Sequence, residues 1–173
     1  LISNGLINLG TNLSSMGKPE EALPYVESGL EIKEELGDLR AISNCYIHLA
    51  EIHTQMNEFD KADSLYRRSI PVKLELTDME GLARAFLGQA GLKIKIKEYP
   101  QAEEFVEKGL EMADSIKSLE NIVYAYRIKK DLAEARKDYK SAYEYALLYR
   151  NYEDSLLSEA ATKAVMEMEF RHN

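Results

Sequence analysis

The side chains of this chain that could do chemistry are three histidines, one cysteine and several glutamate doublets. Imidazole and thiolate bind metal ions, and imidazole also moves protons near neutral pH. The spacing argues against both uses. His48 and His53 are five residues apart, which on a helix puts them on different faces, and His172 lies near the end of the chain. Cys45 and His48 are three apart, two ligands on one helical turn with no third in the pattern. The doublets Glu20-Glu21, Glu34-Glu35 and Glu103-Glu104 fall near helix ends or on polar faces and read as solvated charge. Nine glycines are scattered one per turn or joint, so no glycine-rich loop cradles a phosphate. No catalytic residue, metal ligand or cofactor is expected.

The elements that must position these residues are set by a repeat. Cut at residues 1, 41, 81, 121 and 161, the chain stacks in forty-residue segments without a gap. One column is invariant: Ala22, Ala62, Ala102 and Ala142. Three columns earlier stand Pro19, Phe59, Tyr99 and Tyr139, and a large, mostly aromatic column holds Leu6, Tyr46, Phe86 and Tyr126. A period of this length marks stacked units, each too small to bury its apolar face alone.

Within a segment, apolar residues recur at helical spacing. Ile42, Tyr46, Leu49 and Ala50 trace one stripe, and Ala62, Leu65, Tyr66 and Ile70 trace a second. Short polar turns such as Asn57-Glu58 and Lys97-Glu98 separate the halves, so each segment reads as an antiparallel helical hairpin. Asp38, Asp78 and Ser118 share a column that can accept hydrogen bonds from free helix amides, which predicts N-caps. Pro19 and Pro100 suit the first turn of a helix, whereas Pro24 and Pro71 fall inside one and predict local kinks. Ser158 continues the cap column, which predicts a ninth, capping helix over 159–172. Ala161, Ala164 and Met168 fit a short heptad seam, making this helix a candidate contact for a homo-oligomer. Leu1 already lies in a helical pattern, so the chain is expected to be part of a longer one, and no compartment follows from it.

Composition narrows the partners. The chain has 173 residues, 45% of them hydrophobic and 30% charged, with a formal net charge of -8. An acidic chain whose basic runs stop at Arg67-Arg68 and Lys129-Lys130 lacks a phosphate-binding face, so nucleic acid is not an expected partner. Uninterrupted apolar stretches are too short for a membrane span. Cys45 shares a small column with Gly5, Ala85 and Ala125, which reads as core packing.

These columns resemble the tetratricopeptide repeat, whose pattern is W-x2-L-G-x2-Y followed by A-x3-F. Tyr46, Leu49, Ala50 and His53 stand at the first four places, and Ala62 and Tyr66 at the last two. Leu36-Gly37-Asp38 matches the joint of a forty-residue variant of that repeat. The resemblance spans the chain, with departures at Gln89, Lys129 and Lys130. It implies a single array over 1–173, with repeats at 1–40, 41–80, 81–120 and 121–160. The expected fold is all-α, a right-handed α-solenoid of four hairpins plus the capping helix. By the same resemblance the first helices line a concave groove that holds a peptide or helix of a protein partner. Its lining is expected to include Asn4, Asn44, Ile47, Glu51, Arg84, Leu87, Tyr124, Arg127 and Asp131, with Arg84 and Arg127 meeting a carboxylate. The clamp by which some members hold a chaperone tail is not expected, because Ile7, Thr11, His48 and Gly88 replace its polar residues. Tyr149 to Arg171 also resembles, more weakly, the end of the arrays in bacterial membrane sensors. Two alternatives to a binding scaffold therefore stand: a regulatory segment of a larger signalling protein, and a scaffold that self-associates through its open ends.

Overall fold

The computed structural model describes residues 2–172, with side chains described at 2–164, 166 and 167. Eight helices follow one another: α1 (Ile2–Ser15), α2 (Pro19–Glu35), α3 (Leu39–Gln55), α4 (Phe59–Glu75), α5 (Met79–Lys95), α6 (Tyr99–Ser115), α7 (Leu119–Ala135) and α8 (Tyr139–His172). No strand occurs among the described residues. Six of the helices, α2 to α7, have 17 residues each. The pairs α1/α2, α3/α4, α5/α6 and α7/α8 are the four hairpins, and the array is an α-solenoid.

The turns show a finer period than the sequence columns. A left-handed residue ends each of the first seven helices, one every twenty residues: Gly17, Gly37, Asn57, Thr77, Lys97, Lys117 and Lys137. The amide after each donates five residues back, as in Lys18 N to Leu13 O at 3.0 Å and Asp78 N to Lys73 O at 2.9 Å, which satisfies carbonyls the helix end leaves free. Three of these turns carry an ion pair between side chains five apart, Lys33 with Asp38, Lys73 with Asp78 and Lys93 with Glu98, and in a fourth His53 Nδ1 lies 2.6 Å from Glu58 Oε2.

Asp38 and Asp78 cap as expected, accepting from Ala41 N and Gly81 N at 3.1 Å. Ser118 does not. Its hydroxyl accepts instead from Asn121 Nδ2 at 3.2 Å, and the same amide group reaches the Glu80 carbonyl one hairpin back. Pro24 and Pro71 lie within α2 and α4 without ending either helix.

The separate helix expected over 159–172 is not formed, because α8 runs from Tyr139 to His172 through Ser158. At the turn position held by Gly37, Thr77 and Lys117 the chain has Leu157, and Glu153 stands where Lys33 and Lys73 clamp their caps. With no left-handed residue and no clamp, helix propagation wins over a turn. The described side chains from Leu157 onward are exposed, so this end does not fold back as a cap. Of the expected seam, Met168 lies outside the described side chains.

Between hairpins the core forms three clusters. Ala22, Val26, Cys45, Leu49 and Ile52 fill the first joint, Ile47, Ala62, Tyr66 and Ala85 the second, and Val106, Leu110, Ile122 and Ala125 the third. The invariant alanines are 0%, 0%, 0% and 6% exposed, the places where paired helices approach closely. Cys45 is buried among these side chains, and desolvation raises its thiol to about 11.

Candidate functional site

Curvature follows from which helices touch. α1 meets α3, α3 meets α5 and α5 meets α7, while no two of the second helices α2, α4, α6 and α8 are in contact among the described residues. The second helices therefore splay on the outside, and the first helices line a concave side. A cavity of about 900 Å³ opens there, reaching from Thr11 of α1 past Glu51 and Arg84 to Tyr124 and Arg127 of α7 and Tyr149 of α8.

The floor of this cavity is an ion pair between neighbouring hairpins. Arg84 donates twice to Glu51, Nε to Oε1 at 3.2 Å and Nη2 to Oε2 at 3.1 Å, the fork geometry that makes arginine–carboxylate pairs strong. His48 Nδ1 lies 3.5 Å from Glu51 Oε2. Burial alone would raise the Glu51 carboxyl, but Arg84 and then His48 outweigh it and hold the group at about 2. Arg84 is pushed up in turn, chiefly by Glu51. The hydroxyls of Tyr66 and Tyr124 lie in this site, and desolvation raises both. Tyr66 reaches the groove from α4 because the facing residue is Gly88, where a Cβ would lie 2.8 Å from Tyr66 Cζ.

Arg127 behaves differently from Arg84. Its guanidinium stacks over the Tyr124 ring, 4.8 Å from the centroid, and no carboxylate lies within ion-pair distance among the described residues. Lys95 and Lys97, also on the lining, have no such carboxylate among the described residues either. Asp131 lines the cavity too and pairs with Lys130 at 3.1 Å.

Arg84, Glu51, Tyr124, Arg127 and Asp131 thus come together, and the remaining expected residues do not. Leu87 is fully buried and Ile47 is 1% exposed, so both are core side chains, although Ile47 borders a smaller cavity of about 310 Å³. Asn44 borders that smaller cavity and accepts from the buried ammonium of Lys73. Asn4 is exposed and lines neither cavity.

The correction for Leu87 has a local cause. A Cβ on Gly109 would lie 2.7 Å from Leu87 Cδ2, and one on Gly29 would lie 3.2 Å from Ile7 Cδ1, so each apolar knob sits in a hole made by a missing side chain. In the fourth hairpin Tyr149 fills that hole's column, and the knob's column holds the exposed Arg127. Tyr149, Glu120 and Asn121 join the lining without having been expected. The Gly29, Ser69, Gly109 and Tyr149 column was the available signal for the first of these.

Repeated helical hairpins stacked into a curved array, with polar side chains gathered on the concave side, define the chain as a helical repeat protein. Residues 1–75 match the family model "Tetratricopeptide repeat", and the forty-residue columns of that stretch continue beyond it. No curated protein matches the chain in sequence. Among solved structures it is similar to BtubC (BKLC) from P. vanneervenii, with a TM-score of 0.66 and 15% identity over 89% of this chain and 64% of that one. The chain therefore spans less than two thirds of that structure, and the likeness is one of fold. Tetratricopeptide repeats generally mediate protein–protein interaction and are typically non-catalytic scaffolds. No helix among the described residues is long and apolar enough to cross a membrane.

Proposed function

We propose that the concave groove holds an acidic, extended segment of a protein partner, bound at its α7 end. The observation that carries this reading is the contrast between two arginines on one surface. Arg84 is fully engaged by Glu51, so it fastens the second hairpin to the third. Arg127 has no carboxylate within ion-pair distance among the described residues while its face rests on Tyr124, an arrangement suited to receiving a carboxylate. Lys95 and Lys97 add positive charge to the same cavity, which draws an acidic ligand to an acidic protein locally.

Capture from the source cell with wild type, Arg127→Ala and Arg84→Ala tests the reading. Arg127→Ala should keep its melting temperature and lose the captured proteins, and Arg84→Ala should lose stability. Capture of the same proteins at equal yield by a folded Arg127→Ala variant would remove the proposal. The unbroken α8 favours a second reading, in which binding in the groove is relayed along that helix to an attached output domain. Its test is whether occupancy of the groove changes hydrogen exchange in residues 158–172.

A further inference from the structure

In the large cavity the wall supplied by α5 is interrupted at two glycines. The column of Thr11, Glu51 and Asp131, all on the lining, holds Gly91 in the third hairpin, and the column of Asn8, His48 and Ile128 holds Gly88. The two gaps differ. A Cβ at Gly88 would strike the ring and hydroxyl of Tyr66, which fill that place from α4. A Cβ at Gly91 would meet Ile128 Cδ1 alone, at the ordinary contact distance of 3.4 Å, so the place beside Gly91 is open to the cavity.

The walls of this notch are apolar where other hairpins are polar. Ile94 stands in the column of Ser14, Thr54 and Glu134, and Ile128 in that of Asn8 and His48. Both line the cavity, together with the half-buried rings of Tyr124 and Tyr149. The rim is basic, for Lys95, one turn along α5 from Gly91, and Arg127, next to Ile128, are both exposed. An apolar hollow edged by cations complements an apolar side chain with carboxylates beside it.

We infer that the notch at Gly91 receives one bulky apolar side chain of the bound segment, flanked by acidic residues that Arg127 and Lys95 hold. The inference rests on the groove reading above and adds the residue that sets its specificity. Gly91 is that determinant, since a larger residue on this turn of α5 would fill the hollow from the protein's own side.

Fluorescence anisotropy with two labelled peptides of alternating glutamate and aspartate tests it, one with phenylalanine at its centre and one with alanine. Wild type should bind the phenylalanine peptide about tenfold more tightly, the return for burying an aromatic side chain. Gly91→Leu should bind both peptides equally without a fall in melting temperature. Gly91→Ala, whose Cβ has room, should keep or raise the melting temperature and narrow the preference. Arg127→Ala should weaken both peptides and preserve the preference. Equal binding of the two peptides by wild type, or an undiminished preference in either folded Gly91 variant, would overturn the notch and leave the acidic-segment reading standing. Unchanged affinities in Arg127→Ala with the preference intact would remove that reading and keep the notch. Binding of neither peptide to wild type would overturn both.

Discussion

Glu51 is the residue on which the groove turns, and its ionisation couples stability to pH. Its ordinary value is 4.5 and the folded chain holds it at about 2, so the folded state binds this proton less readily than the unfolded one. The stabilisation is therefore complete above pH 4.5 and is lost as pH falls toward 2. Denaturant unfolding of wild type and Glu51→Gln should diverge above pH 4.5 and converge near pH 2; parallel curves over that window would show that the pair does not stabilise the joint. Glycines supply a second test. Gly88→Ala drives a Cβ into Tyr66 and should cost about 1–3 kcal/mol of stability. Gly5 meets nothing within 4 Å, so Gly5→Ala should instead stabilise α1 by up to about 1 kcal/mol. Equal effects of the two changes would mean that the Tyr66 contact is not close.

At the scale of the element, the left-handed residue that ends each helix governs whether the chain turns. Thr77 takes φ 48°, a conformation its branched side chain resists, and glycine holds the same place at Gly37. Thr77→Gly should therefore raise stability by roughly 0.5–1 kcal/mol, read from the shift in denaturation midpoint. A loss of that size would show that the threonine methyl or hydroxyl is worth more than the relieved backbone. Much of the hairpin pattern was legible because the apolar spacing and the cap column act locally: Asp38 and Asp78 cap by reaching three residues along their own chain. Ser118 and Ser158 carried the same column signature and failed, the first because Asn121 competes for its hydroxyl and the second because Leu157 does not turn.

For the whole molecule, the array predicts unequal local stability. The repeat body is stitched by the three core clusters, while the described side chains of α8 from Leu157 onward are exposed. Backbone amides of 158–172 should exchange within the fastest class, and deleting 160–173 should leave the melting temperature of the body unchanged. A fall in that temperature would show that the end of α8 packs on the array. The groove, by contrast, should respond as a unit with α3, α5 and α7, since Glu51, Arg84 and Arg127 come one from each.

What the sequence determined by itself was the period, the helical hairpins and the small alanine column, because all three express local spacing repeated without a gap. It also placed Arg84, Glu51, Tyr124 and Arg127 on one surface through the resemblance of its columns to a known repeat. Only the tertiary structure decided which of these residues is engaged and which is free. Leu87 and Arg127 share a column, yet one fills the hole at Gly109 and the other is exposed where Tyr149 takes the equivalent place. That difference depends on the neighbouring helix opposite each position, which no periodicity along the chain records. The unbroken course of α8 was decided in the same way, by the absence of a left-handed residue at Leu157.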